Sequence, residues 1–227
     1  MSLDLSRQTK LVPENTLSSF IKIYGVGSIG SYVAKILAKT GFQNIEIYDM
    51  DTVEEENLSA QAFDFKHIGM NKVDAMKNIL LESAGIEIKA NHGQVTTETN
   101  IEPEPNTVYC CFFDSIEGRK LVFDKVKDFP VPFIDTRIGL HNMSHYLIDC
   151  SDDSEKEQYL KTLEGETSEL GCGEKASAPI NVQLAGMVVM NIINYLSGDD
   201  YTKVFMGNAK ATSKRDNVLK RRSKATE

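Results

Sequence analysis

The run "FIKIYGVGSIGSYVAKILAKTGFQNIEIYDM", residues 20–50, constrains this chain more than any other stretch. It opens with an apolar segment of strand character and breaks at three closely spaced glycines. Residues of helical periodicity follow, with Ile29, Val33, Ile36 and Leu37 on one face and Gly41 where a left-handed cap belongs. "NIEIYDM" then alternates, as a half-buried strand does, and ends at Asp49. Strand, tight turn, helix and strand within about thirty residues make a βαβ unit. Such a unit joins parallel strands by a right-handed crossover, so a parallel sheet with helices on its faces is the expected architecture.

The remaining segments extend that pattern. "NKVDAMKNILLESAG" predicts an amphipathic helix with Val73, Met76, Ile79 and Leu80 inward, and "IEIKANHG" a third strand. "TVYCCFF" is almost wholly apolar, as a central parallel strand should be. "SIEGRKLVFDKVKDF" predicts a helix, "PVPFIDTRIG" a strand, and "HNMSHYLIDC" a further, antiparallel strand. From Asp149 to Glu169 eight acidic residues face only Lys156 and Lys161, which suits a mobile crossover or a short exposed helix. "APINVQLAGMVVMNIINYLSG" carries apolar residues around most of its circumference and predicts a deeply buried helix, with Pro179 in its first turn and Gly198 at its C-terminal cap. "YTKVFMG" predicts an edge strand. The expected class is α/β: a Rossmann-like, mostly parallel sheet flanked by helices, with antiparallel strands added toward the C-terminus.

Charge divides the chain in two. The formal net charge is −8, yet residues 210–227 carry seven basic side chains against two acidic ones. This suggests a folded domain over 1–209 and a basic, disordered tail over 210–227. An acidic body argues against nucleic acid as a partner. No apolar run is expected to cross a membrane, and the start "MSLDLSRQTK" lacks the apolar core of a secretory signal. Four cysteines without CxxC spacing fit reduced thiols in a cytoplasm, with no structural zinc.

Gly25, Gly27 and Gly30 fall at GxGxxG spacing between a strand and a helix. In that context the first glycine permits the turn, the second admits a phosphate and the third lets helix and strand pack, while helix N–H groups face the anion. Asp49, 19 positions after Gly30, stands where a carboxylate accepts from ribose hydroxyls. The pattern reads as an adenine-nucleotide site; the bland alternative is a turn that is merely glycine-rich.

The residues beyond Asp49 narrow the choice. The sequence continues as D-x-D-x-V-x-x-x-N-L-x-x-Q, followed by "IGMNKVDA", "FFDSIEGR" and "VPFIDT". With "GVGSIG", these segments resemble, in order and over roughly residues 20–140, the ThiF/MoeB superfamily of ATP-dependent adenylyltransferases, which includes the ubiquitin-activating enzymes. The resemblance implies that Asp49 holds the ATP ribose and that Asp51, Asn57 and Gln61 line the pocket. It also implies that Lys72 reaches the triphosphate and that Asp114 binds Mg2+. Each has a plainer reading: Lys72 equally suits a solvated helix surface, and Asp114 the N-cap of the helix beginning "SIEGR". Glu54, Glu55 and Glu56 read as a solvated run.

Two departures stand out. The family's N-L-x-R-Q arginine, which contacts the triphosphate, is Ala60 here. Arg7 in "SRQ" and Arg137 after "PFIDT" are the candidate replacements, while Arg119 reads as structural, pairing along its helix. Cys172 occupies about the region of the family's thioester nucleophile and equally suits a small buried residue. The resemblance implies an enzyme that activates the C-terminal carboxylate of a small ubiquitin-like or sulfur-carrier protein, or of a peptide, working as a homodimer. The alternatives are a degenerate relative that binds nucleotide or partner without turnover and, on the glycines alone, an NAD-dependent oxidoreductase.

Overall fold

The computed structural model of the protein describes residues 3–139, 142–164 and 177–208. Along the chain run β1 (Phe20–Tyr24), α1 (Gly30–Thr40), β2 (Ile45–Asp49), α2 (Lys72–Ala84), β3 (Lys89–His92) and β4 (Thr107–Cys111). Then come α3 (Ile116–Val126), β5 (Pro132–Ile138), β6 (Asn142–Asp149), α4 (Asp153–Glu164), α5 (Ala178–Ser197) and β7 (Val204–Asn208). The strands form one seven-stranded sheet in the order β3-β2-β1-β4-β5-β6-β7. β3, β2, β1, β4 and β5 are mutually parallel, whereas β6 and β7 add antiparallel. The α/β class and the antiparallel C-terminal edge are as the sequence predicts.

Strand alternation splits the core into two layers. Ile21 and Ile23 of β1 face a cluster built with Val33 and Leu37 of α1, Met76 and Leu80 of α2, and Leu184 and Val188 of α5. Tyr24, Tyr109 and Phe133 face the other side, against Phe123 of α3 and Tyr159 of α4. Helix ends follow local chemistry. Gly41 adopts φ +109° and its N–H donates to the carbonyls of Leu37 and Ala38, and Gly198 closes α5 at φ +74°.

Strand order reverses between β1 and β4: the chain leaves β1 toward β2 and β3, then returns to the other side of β1 as β4. Gly25 and Asp114 lie just beyond the carboxyl ends of β1 and β4, and Asp49 is the last residue of β2. An open parallel sheet places its ligands at this point, because the two connections leave in opposite directions and open a crevice.

Four expectations are revised or refined. α5 buries Leu184, Ala185, Val188, Val189, Ile192 and Ile193, but Val182 and Met190 are exposed, so it lies on the sheet with one flank open. This 20-residue helix contains an 18-residue window of mean hydropathy 1.3, so by length and composition alone it is long and apolar enough to cross a membrane, contrary to the expectation that no such run exists. The acidic crossover contains α4, which is not merely exposed, since it buries Tyr159 and Leu163. Cys110, Cys111 and Cys150 are buried and unpaired, and burial pushes the Cys111 thiol up to about 11 and that of Cys150 to about 12. Cys172 and the basic tail lie outside the described residues.

A buried polar relay ties α5 to the antiparallel edge. Asn191 Oδ1 accepts from the Thr202 N–H at 2.7 Å, which fixes the amide orientation. Its Nδ2 lies 2.8 Å from His145 Nε2, so that nitrogen carries the lone pair and Nδ1–H donates to Thr136 Oγ1 at 2.9 Å. The His145 side chain is fully buried, and that burial pushes its pKa down to about 4. The unfolded chain, with histidine near 6.5, therefore takes up the proton first. Folding stability is fully present above about pH 6.5 and falls by about 3 kcal/mol as pH drops toward 4. Urea unfolding at pH 7 and pH 4.5 should show this loss, and His145→Gln should remove most of that slope.

Candidate functional site

The three glycines of the turn are glycine for different reasons. At Gly25, φ is +93° and an added Cβ would stand 3.1 Å from the Phe112 backbone. At Gly30 an added Cβ would lie 1.9 Å from the Gly25 carbonyl oxygen, an overlap that backbone cannot relieve without moving. At Gly27 nothing lies within 4 Å and φ is unexceptional. The fold demands the first and third glycines, whereas the second leaves clear space above the turn. Among the described residues nothing accepts from the N–H groups of Gly27, Ser28 and Ile29. These are the free donors that a helix N-terminus presents to an anion. Gly30→Ala should cost about 3 kcal/mol or more through overpacking, whereas Gly27→Val should leave the melting temperature within a few degrees and weaken phosphate-ligand binding. Thermal melts with nucleotide titration separate the two.

Asp49 clamps the turn. Its Oδ2 accepts from the Val26 N–H at 2.7 Å and its Oδ1 from the Asp51 N–H at 2.9 Å. Burial raises its pKa, opposed by those two backbone donors and by the nearby Lys72 charge. Each carboxylate oxygen keeps a further lone pair, so a vicinal diol can still donate to it. Lys72, the first residue of α2, is only 6% exposed, and its Nζ donates to Asp51 Oδ2 at 2.7 Å. Its N–H donates to the Asp51 carbonyl at 2.9 Å, and Thr52 bridges Asn71 beside it. The acidic rim and the start of α2 are thus joined, bringing Asp49, Asp51 and Lys72 together at the glycine turn.

The rest of the rim has mixed roles. Asn57 Oδ1 accepts from the Glu54 N–H at 3.0 Å in a reciprocal cap, with Glu54, Glu55 and Glu56 exposed. Gln61 is buried, its carbonyl accepting from Tyr32 O–H at 3.2 Å. Its side-chain Oε1 is enclosed and has no donor among the described residues. A buried acceptor without a donor is uncommon and points to a group the protein itself does not supply. Tyr32 carried no sequence signal, since its role depends on the loop folding back over α1.

Asp114 is exposed just beyond β4. The capping role open to it is taken by Ser115, whose Oγ accepts from the Gly118 N–H at 3.1 Å, so the Asp114 carboxylate is left facing solvent. Among the described residues no three histidine, cysteine, aspartate or glutamate side chains cluster as a metal cage. One carboxylate fits Mg2+, which takes few protein ligands and completes its shell with phosphates and water.

The arginines are placed otherwise than expected. Arg119 pairs not along its helix but across to Asp135 of β5, and it also donates to the Phe113 carbonyl. Arg137 Nε donates to Asp135 at 2.7 Å, and its outer nitrogens bond Thr162 of α4. It stacks over Tyr146 and is committed to that layer. The neighbour of Arg7, Gln8, donates to the Lys39 and Thr40 carbonyls at the far end of α1, about 16 Å from the glycine turn by helix rise. At Ala60 the carbonyl accepts from Asn181 Nδ2 at 2.7 Å, placing the start of α5 against it.

Known proteins share sequence segments and fold with this chain. The SUMO-activating enzyme subunit 2 of Dictyostelium discoideum is 40% identical over 77 residues, 33% of this chain and 12% of its own length. The NEDD8-activating enzyme E1 catalytic subunit of Arabidopsis thaliana is 31% identical over 104 residues, 45% of this chain and 23% of its own. The chain thus spans less than a quarter of either relative. Among solved structures, E. coli MccB superposes with a TM-score of 0.67 at 18% identity, covering 91% of this chain and 69% of MccB. A structure of E. coli MccB with ATP gives 0.62 at 20% identity, covering 85% and 60%. At such identity the likeness concerns the fold. The ThiF family model matches residues 5–227, nearly the whole chain, and the protein belongs to the ThiF family.

Proposed function

We propose that the protein is an ATP-dependent adenylyltransferase that activates the C-terminal carboxylate of a small ubiquitin-like or sulfur-carrier protein, or of a peptide. The observation that carries the reading is the grouping of Asp49, Asp51 and Lys72 against a glycine turn with free N–H groups and open space at Gly27. The free donors of the turn bind phosphate, and Asp49 accepts from the ribose hydroxyls. Lys72 exchanges Asp51 for phosphate oxygens, and its charge stabilises the departing group. A carboxylate oxygen of the acceptor attacks the α-phosphorus, the bond to the bridging oxygen breaks, and pyrophosphate leaves with the electron pair. Asp114 would hold Mg2+, which when bound neutralises charge across the phosphates. Asn57 and Gln61 complete the pocket, with Gln61 Oε1 ready to accept from the nucleotide. Cys172 is proposed only as a downstream thiol acceptor.

The relatives' names support the acceptor class, since they include enzymes that activate SUMO and NEDD8, and E. coli MccB has been solved with MccA. ATP–pyrophosphate exchange across a panel of Gly-Gly-terminated proteins and free peptides tests the reading. Exchange with one acceptor, abolished by Asp114→Ala and retained by Cys172→Ala, is expected; no exchange with any acceptor would overturn it. The reading includes a cytoplasmic homodimer, in which the exposed Arg7 is free to serve the second subunit's site.

A second reading is a nucleotide- or partner-binding protein without turnover, favoured by Ala60 and by the commitment of Arg119 and Arg137 to Asp135. ATP binding by calorimetry without exchange, and exchange gained by Ala60→Arg, would favour it. Preference for NAD over ATP in the same calorimetry would revive an oxidoreductase.

A further inference from the structure

We propose that Arg119 is a positioning residue, which sets the direction of the Asp114 carboxylate through the carbonyl of Phe113. The inference rests on the proposed role of Asp114 and deepens it. Phe113 C=O and Asp114 N–Cα share one rigid peptide plane, so fixing that oxygen fixes the N–Cα bond about which the Asp114 side chain turns. Arg119 reaches that oxygen from α3 with one arm of its guanidinium, while the other arm is held by Asp135.

The anchor is itself held from several sides. Asp135 is fully buried and accepts also from Arg137 Nε at 2.7 Å and from Tyr159 O–H at 2.9 Å. The other side of Asp114 is pinned by the Ser115 cap. The first turn of α3 is seated so closely that a Cβ at Gly118 would stand 2.7 Å from the Phe113 ring. Asp114 is therefore an exposed carboxylate between two fixed peptides, a placement that favours a preset ligand over a solvated loop charge. A single point charge cannot span both acceptors, so Arg119→Lys keeps the pairing with Asp135 and releases the Phe113 carbonyl.

The test compares wild type, Arg119→Lys and Asp114→Ala by two readouts. Hydrogen exchange across residues 110–118 reports the turn, and Mn2+ titration by electron paramagnetic resonance, with a non-hydrolysable ATP analogue present, reports the carboxylate. Arg119→Lys should keep its melting temperature within a few degrees, speed exchange at the turn about tenfold, and weaken Mn2+ affinity about 10- to 100-fold. Metal-free nucleotide affinity should not change. If Asp114→Ala loses Mn2+ while Arg119→Lys binds it as wild type does, or if exchange at the turn is unaltered, the positioning role is overturned and the proposed function stands. If wild type binds no Mn2+ with the analogue, the role given to Asp114 fails first and this inference falls with it. Should Arg119→Lys fail to fold, Ser115→Ala, which loosens the other side of Asp114, must weaken Mn2+ in the same direction; an unchanged affinity there overturns the proposal.

Discussion

Replacing Lys72 with alanine is expected to lower ATP–pyrophosphate exchange by two to three orders of magnitude, the usual cost of removing one preorganised charge from a site of developing negative charge. The side chain is almost wholly enclosed, and its ammonium is held beside Asp49 by the Asp51 carboxylate. Asp51 is itself half exposed, so losing the ion pair alone is worth about 1 kcal/mol or less to stability. The substitution therefore separates chemistry from folding. Exchange kinetics should collapse while urea unfolding moves little. A variant with near-wild-type exchange would show that Lys72 only tethers the rim to α2, and would remove the main support for adenylation.

The largest stability effect is expected at Asp135. Asp135→Asn keeps the side-chain shape but leaves Arg119 and Arg137 without their shared counter-charge, and Arg119 is 5% exposed. Breaking such a buried pair by removing one partner costs about 3–5 kcal/mol, chiefly the desolvation of the charge left behind. With a denaturant slope of about 2–3 kcal/mol/M, the urea midpoint should fall by roughly 1.5 M. A loss below about 1 kcal/mol would mean that water or another acceptor compensates, and the anchor invoked for Arg119 would then be too loose for its role. Tyr159→Phe removes one of the bonds to the same carboxylate and should cost about 1 kcal/mol.

The sequence disclosed most about features whose causes are local. The glycine turn, the helix caps at Gly41 and Gly198 and the strand ending in Asp49 were legible because periodicity and left-handed backbone act within a few residues. The rim motif drew attention to Asp51 and Lys72, and the structure supplied their ion pair. Misjudged were groups whose partners are distant in the chain. Arg119 and Arg137 were read by neighbourhood, yet both meet at Asp135, which is also bonded by Tyr159 from 24 residues away. The burial of α5 was overestimated because an all-round apolar composition does not say which flank the sheet covers.

From its order of residues alone, then, this chain was bound to be a βαβ sheet with a tight glycine turn between strand and helix, since side-chain spacing and glycine conformation act through neighbouring bonds. Which carboxylates clamp, which point to solvent and which arginines are spent on the interior depended on strand order and helix docking. Those contacts join residues remote in sequence, where burial and charge pairing, not propensity, set the energy.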